Sequence, residues 1–199
     1  MRARARSADP PARWGPLERV EQHASPALLS WLSEPGLLTA RIRALCGERM
    51  RFRMLGPLRS SRLSDELQAR LGLHDQRCLL REIEFCCDGE RVVYAQTVLP
   101  ESTLQRYPWL RELGDSPLGE SLRQASEPLE REPLEYAALP PDSALAIAAS
   151  DATPDAQQET LWARRGVYRL GARPILVQEV FLPALLREQE RATTFDQPR

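Results

Sequence analysis

The sequence predicts an α+β fold in one domain, on three observations. A turn signal, Asp88-Gly89, separates two runs of branched and aromatic residues, which is typical of an antiparallel hairpin. Gly171-Ala172 separates a second pair of such runs. Ahead of both hairpins, apolar residues recur at helical spacing. With 199 residues, the chain is long enough for one well-cored domain and short for two.

The first elements are predicted to form a helical hairpin. Ser25 before Pro26 is a typical helix start, because serine caps the first turn and proline fits the first helical position. Glu34-Pro35-Gly36 breaks this helix, and residues 37–45 resume helical spacing. Further along, Ser64 is predicted to cap a short polar helix.

A strand and the first β-hairpin are predicted around that polar helix. Residues 50–54 alternate apolar side chains with arginine, which indicates a strand with one buried face. A two-residue turn at Asp88-Gly89 predicts three opposed pairs in the hairpin: Phe85 with Val92, Ile83 with Tyr94, and Arg81 with Gln96. In this register, Arg81, Gln96 and the hydroxyl of Tyr94 share one face.

A further helix start is predicted in Ser116-Pro117-Leu118-Gly119, with Ser116 as N-cap and Pro117 at the first helical position. The amides of Leu118 and Gly119 would point outward from that helix end. Such amides bind carboxylates, helped by the helix dipole.

The second hairpin turns at Gly171-Ala172. If this turn holds two residues, Arg164 lies opposite Glu179 on the same face.

The domain boundaries follow from composition. Residues 1–15, rich in arginine, proline and alanine, are expected to be a disordered tail. The single domain is expected to span residues 16–185, and the charged residues 186–199 are expected to be a frayed C-terminal tail. Residues 138–158 hold several prolines and small residues, so we expect a mobile loop there.

Two charged residues lie on strand faces that are otherwise apolar. Arg81 alternates with leucine, isoleucine and phenylalanine, and Glu179 alternates with isoleucine, valine and phenylalanine. An unpaired charge on a buried face is costly, so each must meet a counter-charge, a hydrogen-bond network or a ligand. A structural ion pair, of the two with each other or with Arg164, and a ligand site are both open.

Composition excludes several function classes. A net charge of -1 gives no global electrostatic case for nucleic acid or anionic membrane, and no apolar run reaches the length of a membrane span. All 27 basic residues are arginine, which excludes Schiff-base catalysis and a phosphate-loop lysine. The four cysteines lack zinc-site spacing and are interpreted as buried thiols, and His23 and His74 have no ligand partners nearby in sequence. We therefore expect a cytoplasmic protein without a metal.

Six segments carry a family resemblance. In order and in most spacings, from about residue 31 to residue 183, they resemble the chorismate pyruvate-lyase family: Leu80-Arg81-Glu82-Ile83, Cys87-Asp88-Gly89-Glu90, Thr97-Val98-Leu99-Pro100, Ser116-Pro117-Leu118-Gly119, Trp162-Ala163-Arg164-Arg165 and Glu179-Val180-Phe181-Leu182-Pro183. Each segment alone is a weak signal, but six in register are specific.

The resemblance implies a fold and a reaction. The fold is a single antiparallel β-sheet with helices on one side and helical flaps over an internal ligand cavity. The reaction is the cofactor-free cleavage of chorismate into 4-hydroxybenzoate and pyruvate, the first step of ubiquinone synthesis. On this basis we expect a monomer that binds substrate and product through Leu38, Arg81, Leu118 and Glu179.

The resemblance also implies roles for these residues. Arg81 is expected to bind the ring carboxylate through two parallel hydrogen bonds, with the Leu118 amide as a further donor. Glu179 is expected to be the catalytic acid that hydrogen-bonds the departing ether oxygen. Some family members carry arginine at the place of Gln96, so this chain departs from them in its expected second cationic contact.

Two other functions fit the same residues. One is a non-catalytic effector-binding domain of the kind attached to some bacterial transcription regulators, whose DNA-binding helices would precede residue 30, where the sequence leaves no room. The other is a degenerate lyase that binds 4-hydroxybenzoate without turnover, suggested by Gln96. Turnover of chorismate separates both from the lyase.

Overall fold

A computed structural model describes residues 12–74, 77–150 and 160–195 of this chain. Within these ranges the strands are β1 (Met50–Met54), β2 (Arg59–Arg62), β3 (Arg77–Cys87), β4 (Glu90–Pro100), β5 (Leu129–Arg131), β6 (Glu135–Leu139), β7 (Leu161–Leu170) and β8 (Arg173–Phe181). The helices are α1 (Glu18–Glu21), α2 (Pro26–Leu32), α3 (Leu38–Cys46), α4 (Asp65–Leu71), α5 (Glu101–Arg106), α6 (Leu118–Gln124), α7 (Ala144–Ser150) and α8 (Pro183–Phe195).

All eight described strands belong to one antiparallel sheet. Its main path runs β1-β3-β4-β8-β7-β5, with β2 also paired to β3 and β6 to β7. Two long hairpins, β3–β4 and β7–β8, therefore form the centre of the sheet, where β4 pairs with β8. The predicted α+β fold with a single antiparallel sheet is confirmed.

Both predicted hairpin turns are present. Asp88 and Gly89 have φ values of 51° and 83°, and Gly171 and Ala172 have φ values of 48° and 69°. Positive φ at both central residues is what a tight two-residue hairpin turn requires. In the second hairpin Arg164 lies opposite Glu179, so that predicted register is confirmed.

The predicted register of the first hairpin is wrong by one residue. A β-bulge at the Phe85/Cys86 step shifts the pairing, so that Phe85 lies opposite Val93 and Arg81 lies opposite Thr97. The bulge lets both Val92 and Val93 enter the apolar core, where each is fully buried. As a consequence Tyr94 and Gln96 lie on the face opposite to Arg81.

Helices cover both faces of the sheet unequally. The face of Arg81 and Glu179 packs against α2, α3 and α8 at one end and against α5 and α6 at the other. Among the described helices, the seven-residue α4 and α7 cover the opposite face, together with the segment that holds Ala12 and Trp14. The larger core, and the room for a cavity, thus lie on the Arg81 side.

Serine caps hold two of the predicted helix starts. The Ser25 hydroxyl accepts a hydrogen bond from the Leu28 amide at 3.2 Å, and the Ser64 hydroxyl accepts one from the Leu67 amide at 3.3 Å. The third start lies one residue later than predicted. Pro117, not Ser116, is the N-cap of α6, and no side chain caps this helix.

The C-terminal residues are not a frayed tail as far as Phe195. They form α8, which follows the last strand directly. The side chain of Glu188 in this helix is only 1% exposed and binds Arg49 at 3.0 Å and Arg191 at 2.6 Å. Residues 196–199 lie outside the described ranges.

The N-terminal tail and the expected loop at 138–158 are also revised in part. Gly15 exchanges two backbone hydrogen bonds with Tyr136, so the chain joins the sheet before residue 16. Residues 144–150 form α7, whose alanines pack on the sheet. The rest of both predictions, residues 1–11 and 151–158, lies outside the described ranges.

Two cysteines interpreted as thiols form a disulfide instead. Cys46 at the end of α3 is bonded to Cys87 at the end of β3, with a Cα–Cα distance of 5.7 Å. All four cysteines are buried as predicted. Burial and the neighbouring carboxylate of Glu84 raise the pKa of the Cys86 thiol to about 11, so it stays protonated and does not attack this disulfide.

Reduction of the disulfide is expected to lower the free energy of unfolding by about 4 kcal/mol, because the closed loop has a sequence separation of 41 residues. Denaturant unfolding with and without a thiol reductant measures this difference. The double variant Cys46→Ser/Cys87→Ser serves as control and should not respond to reductant. Four reactive thiols in the denatured, unreduced protein, instead of two, would contradict the assignment.

Candidate active site

A cavity lies between the centre of the sheet and two helix starts. Its floor is formed by face residues of β3, β4, β7 and β8, and its cover by two segments. We call residues 36–46 the first flap and residues 114–124 the second flap. Leu38 of the first flap and Leu118 of the second line the cavity, together with Arg81 and Glu179. The structure thus brings all four sequence-predicted site residues to one cavity.

Arg81 is a buried arginine without a carboxylate partner. It is 2% exposed, and its Nη2 donates to the backbone carbonyls of Gly114 and Ser116, each at 2.8 Å. Its buried Nε has no hydrogen-bond partner, and no described carboxylate lies within ion-pair distance of it. The structural ion pair considered above is therefore not what holds Arg81. Its charge and one donor are available to an anion in the cavity.

Electrostatics agree with an anion site at Arg81. Burial lowers the pKa of Arg81 below the ordinary arginine value, and the negative charge of Asp115 offsets this only in part. The guanidinium also lies 5.7 Å from the ring centre of Phe52. A desolvated cation against an aromatic wall gains more from a ligand carboxylate than a solvated one does.

Glu179 is paired with Arg164. Arg164 Nε donates to Glu179 Oε2 at 2.5 Å, and the two residues lie directly opposite each other on β7 and β8. Burial would lower the pKa of Arg164, but the adjacent Glu179 carboxylate raises it above the ordinary arginine value. A guanidinium in direct contact favours the charged form of a carboxyl group. Glu179 therefore contributes to the cavity a carboxyl group that a guanidinium already binds through Oε2.

The two charged groups lie at opposite ends of the cavity. On the sheet, β4 separates Arg81 from Glu179, with Thr97 opposite the first and Ala95 opposite the second. Two strand spacings and a two-residue offset place their Cα atoms roughly 12 Å apart. The small side chain of Ala95 leaves room between them for a flat ring.

The two flaps meet above the cavity. A Cβ added at Gly119 would come within 2.7 Å of Leu37 Cδ2, so the second flap requires glycine to approach the first this closely. Arg43 and Glu120 form an ion pair at 3.6 Å between the same segments. The amides of Leu118 and Gly119 belong to the first turn of α6 and have no intrahelical acceptor.

Gln96 does not face the cavity. Its Nε2 lies 3.3 Å from Glu82 Oε1, which also accepts a hydrogen bond from the hydroxyl of Tyr94 at 2.6 Å. The expectation that Gln96 replaces a second cation beside Arg81 is therefore wrong, because the β-bulge turns it to the other face. Arg165 points to that face as well.

Arg165 is buried on that face. It is 4% exposed and donates to Glu135 and Glu66, each at 2.8 Å.

Three polar cavity residues were missed by the sequence analysis: Thr39, Thr97 and Tyr168. Tyr168 follows Arg164 by four residues on β7, so strand alternation alone was enough to place both on one face. Burial, followed by the charge of Glu179, raises the pKa of Tyr168 above its ordinary value. Placing Thr97 at the cavity requires knowledge of the β-bulge, and placing Thr39 there requires knowledge of how the first flap packs.

The described ranges contain neither a cluster of metal ligands nor a helix suited to cross a membrane. No group of three histidine, cysteine or acidic side chains there is arranged to hold a metal ion. Among the same residues, no helix combines the length and apolar character that a bilayer crossing needs.

Solved structures with this fold come from transcription regulators. The C-terminal domain of the histidine utilization repressor from Pseudomonas syringae pv. tomato str. DC3000 matches with a TM-score of 0.53 at 16% identity, over 68% of this chain and 93% of that one. A GntR-family regulator from Bacillus cereus matches with a TM-score of 0.53 at 10% identity, over 69% and 94%. At such identities the likeness concerns the fold alone.

Proteins related in sequence match this chain at a much higher identity than these structures do. A protein of Azoarcus sp. (strain BH72) named probable chorismate pyruvate-lyase is 40% identical over 85% of this chain and 91% of its own length. A second one, from Methylococcus capsulatus (strain ATCC 33009 / NCIMB 11132 / Bath), is 37% identical over 82% and 99%. The family model described as chorismate lyase matches residues 11–192. The chain therefore belongs to the chorismate lyase family.

Proposed function

We propose that this protein is a chorismate pyruvate-lyase that cleaves chorismate into 4-hydroxybenzoate and pyruvate without a cofactor. The observation that carries the proposal is the polarised cavity. At one end Arg81 is buried with no carboxylate partner among the described residues, and at the other end Arg164 binds the carboxyl group of Glu179. A small aromatic acid with a hydroxyl group opposite its carboxylate is complementary to both ends.

Chorismate and 4-hydroxybenzoate have this shape. The ring carboxylate binds Arg81, with the first-turn amides of α6 at Leu118 and Gly119 as further donors. The hydroxyl group on the opposite ring carbon reaches Glu179, which accepts its hydrogen bond. Leu38, Ile83 and other apolar side chains of the cavity contact the ring.

The reaction removes two groups from adjacent ring carbons. The carbon bearing the hydroxyl loses its proton, and the electron pair of that C–H bond completes the aromatic ring. The ether oxygen on the next carbon leaves with the C–O electron pair as enolpyruvate, which takes up a proton and becomes pyruvate. Because aromatisation drives this elimination, the protein has mainly to orient the substrate and handle one proton.

Glu179 acts in this reaction as the proton acceptor. A catalytic acid was expected at this position, but the Arg164 guanidinium bound to Glu179 compensates a negative charge there. A carboxylate beside the hydroxyl-bearing carbon is suited to receive the ring proton. Arg81 contributes by holding the ring carboxylate, which fixes the distance between that carbon and Glu179.

The pathway and the cellular setting are part of the proposal. The product would supply the ring of ubiquinone, and we expect the protein to act as a cytoplasmic monomer. These three points stay predictions from the sequence and its family.

The test is incubation of the purified protein with chorismate in the presence of a metal chelator. We expect equal amounts of pyruvate and 4-hydroxybenzoate, measured by a coupled dehydrogenase assay and by chromatography. The spontaneous decay of chorismate, measured with heat-unfolded protein, is the control. A rate of pyruvate formation no higher than this background would refute the lyase.

The same samples separate the lyase from an effector-sensing domain of this fold. Calorimetric titration with 4-hydroxybenzoate measures binding independently of turnover. Binding without pyruvate release would favour the sensing function or a degenerate lyase. Turnover favours the enzyme.

A further inference from the structure

Arg164 connects one end of the cavity to the segment that covers it. Its Nε binds Glu179, as described above. Its Nη1 donates to the backbone carbonyls of Leu32 at 3.1 Å and Glu34 at 2.8 Å, and lies 3.4 Å from that of Trp31. One guanidinium therefore bonds both a cavity carboxylate and the main chain of the segment before the first flap.

The Trp31 carbonyl also accepts the Glu34 amide at 3.3 Å, but no other donor among the described residues bonds the carbonyls of Leu32 and Glu34. Helix α2 ends at Leu32, and the last carbonyls of a helix lack intrahelical donors. The Arg164 side chain is only 4% exposed, so it replaces the water that would otherwise bind them. The residues that follow, 36–39, line the cavity. The hinge of the first flap is thus fixed from inside the protein.

A second arginine fixes the same hinge from outside. Arg41 Nη1 lies 3.2 Å from the Glu34 carboxylate, and its guanidinium stacks 4.0 Å from the ring centre of Trp31. The Glu34 carboxylate also accepts the Gly36 amide at 2.8 Å. Residues 31–36 therefore form one unit whose inner contacts depend on Arg164.

We propose that Arg164 is a positioning residue that couples the orientation of Glu179 to the closure of the first flap. The proposal rests on the lyase function proposed above. When residues 31–36 move outward with the first flap, Nη1 loses its carbonyl acceptors, and the guanidinium is no longer held in the orientation that fixes Glu179. When these residues return as the flap closes on a ligand, the same hydrogen bonds hold the Glu179 carboxyl group in place. Ligand retention and the orientation of Glu179 thus depend on one side chain.

The variants Arg164→Gln and Arg164→Lys separate charge from hydrogen bonding. Glutamine removes the guanidinium that orients Glu179, so kcat should fall by about tenfold or more. Lysine keeps the charge but lacks the planar fork, so it should restore only part of kcat. In both variants we expect the release of 4-hydroxybenzoate, followed by stopped-flow displacement, to be about tenfold faster or more.

Arg165→Gln is the matched control. Arg165 is the next residue on β7, equally buried and ion-paired, but it points away from the cavity. It should lower thermal stability and leave both kcat and the release rate unchanged. The proposal is wrong if Arg164→Gln behaves as the wild type in both readouts, or if Arg165→Gln reproduces its changes.

Two further outcomes are decisive. If Arg164→Gln does not fold, Arg164→Lys decides through the release rate, and unchanged release overturns the coupling. If the wild-type protein binds 4-hydroxybenzoate but does not turn over chorismate, the proposed reaction fails by itself. The release rates of the variants then still support or overturn the role of Arg164 in flap closure.

Discussion

Replacing Arg81 with alanine is expected to weaken binding of 4-hydroxybenzoate on the order of 100-fold, about 3 kcal/mol, because a desolvated carboxylate loses its charged donor. Arg81 makes no ion pair within the described ranges, so no protein carboxylate is left unpaired by the change. Calorimetric titration measures the affinity. Arg81→Lys, which keeps the charge but not the two parallel hydrogen bonds, should fall between alanine and wild type.

A neutral ligand makes this test specific for the carboxylate. The wild-type protein should bind 4-hydroxybenzamide much more weakly than 4-hydroxybenzoate, and Arg81→Ala should discriminate little between them. Arg91→Ala is the control, since Arg91 is also buried but bonds Glu84 and the Ala149 carbonyl away from the cavity. If Arg81→Ala still prefers the acid as strongly as the wild type does, another group binds the carboxylate.

The lost contacts of Arg81 have a second consequence. Its Nη2 holds the carbonyls of Gly114 and Ser116, which lead into the second flap. Part of the loss in affinity should therefore come from a looser flap. Hydrogen exchange of residues 114–119, compared between variant and wild type without ligand, measures this part separately.

The fold was predictable where the signals are local. Asp88-Gly89 and Gly171-Ala172 specify tight turns through their own backbone preferences, and the turn at Gly171-Ala172 set the correct register of Arg164 and Glu179. The register predicted for the first hairpin was wrong because the bulge depends on the packing of Val92 and Val93 against helices distant in sequence. Local rules contain no information on such packing.

The predicted ends of the domain were wrong for the same reason. Glu188 reads as part of a charged tail, yet it is buried because Arg49, far away in the chain, neutralises it. The Cys46–Cys87 bond likewise joins elements whose proximity only the folded sheet creates. Charge or thiol patterns alone do not identify partners at such separations.

The two unusual charges of the site were predictable from the sequence, but the way they are arranged and paired was not. Arg81 and Glu179 were recognisable as charges on apolar strand faces. Which of them a protein group neutralises was open, and the structure answers differently for each: Glu179 has Arg164, whereas Arg81 has only carbonyls. This asymmetry, which depends on strand order and on the flap, is what distinguishes a ligand end from a protein-compensated end.

Replacing Glu179 with glutamine is expected to lower kcat by about 10²- to 10⁴-fold, the usual range for loss of a proton-transfer group. The amide oxygen of glutamine can still accept the hydrogen bond from Arg164 Nε, so the cavity should keep its shape. Affinity for 4-hydroxybenzoate should therefore fall by less than about tenfold, since one hydrogen bond is changed and not removed. Single-turnover kinetics and calorimetry measure the two effects separately.

A matched carboxylate on the same sheet completes this argument. Glu82→Gln is the control, because Glu82 lies on the opposite face of the sheet and bonds Tyr94 and Arg59 there. It should leave kcat within about twofold, as surface-side changes remote from the chemistry do. A Glu179→Gln variant with nearly normal kcat and greatly weakened product binding would assign Glu179 to binding alone and move the proton acceptor elsewhere in the cavity.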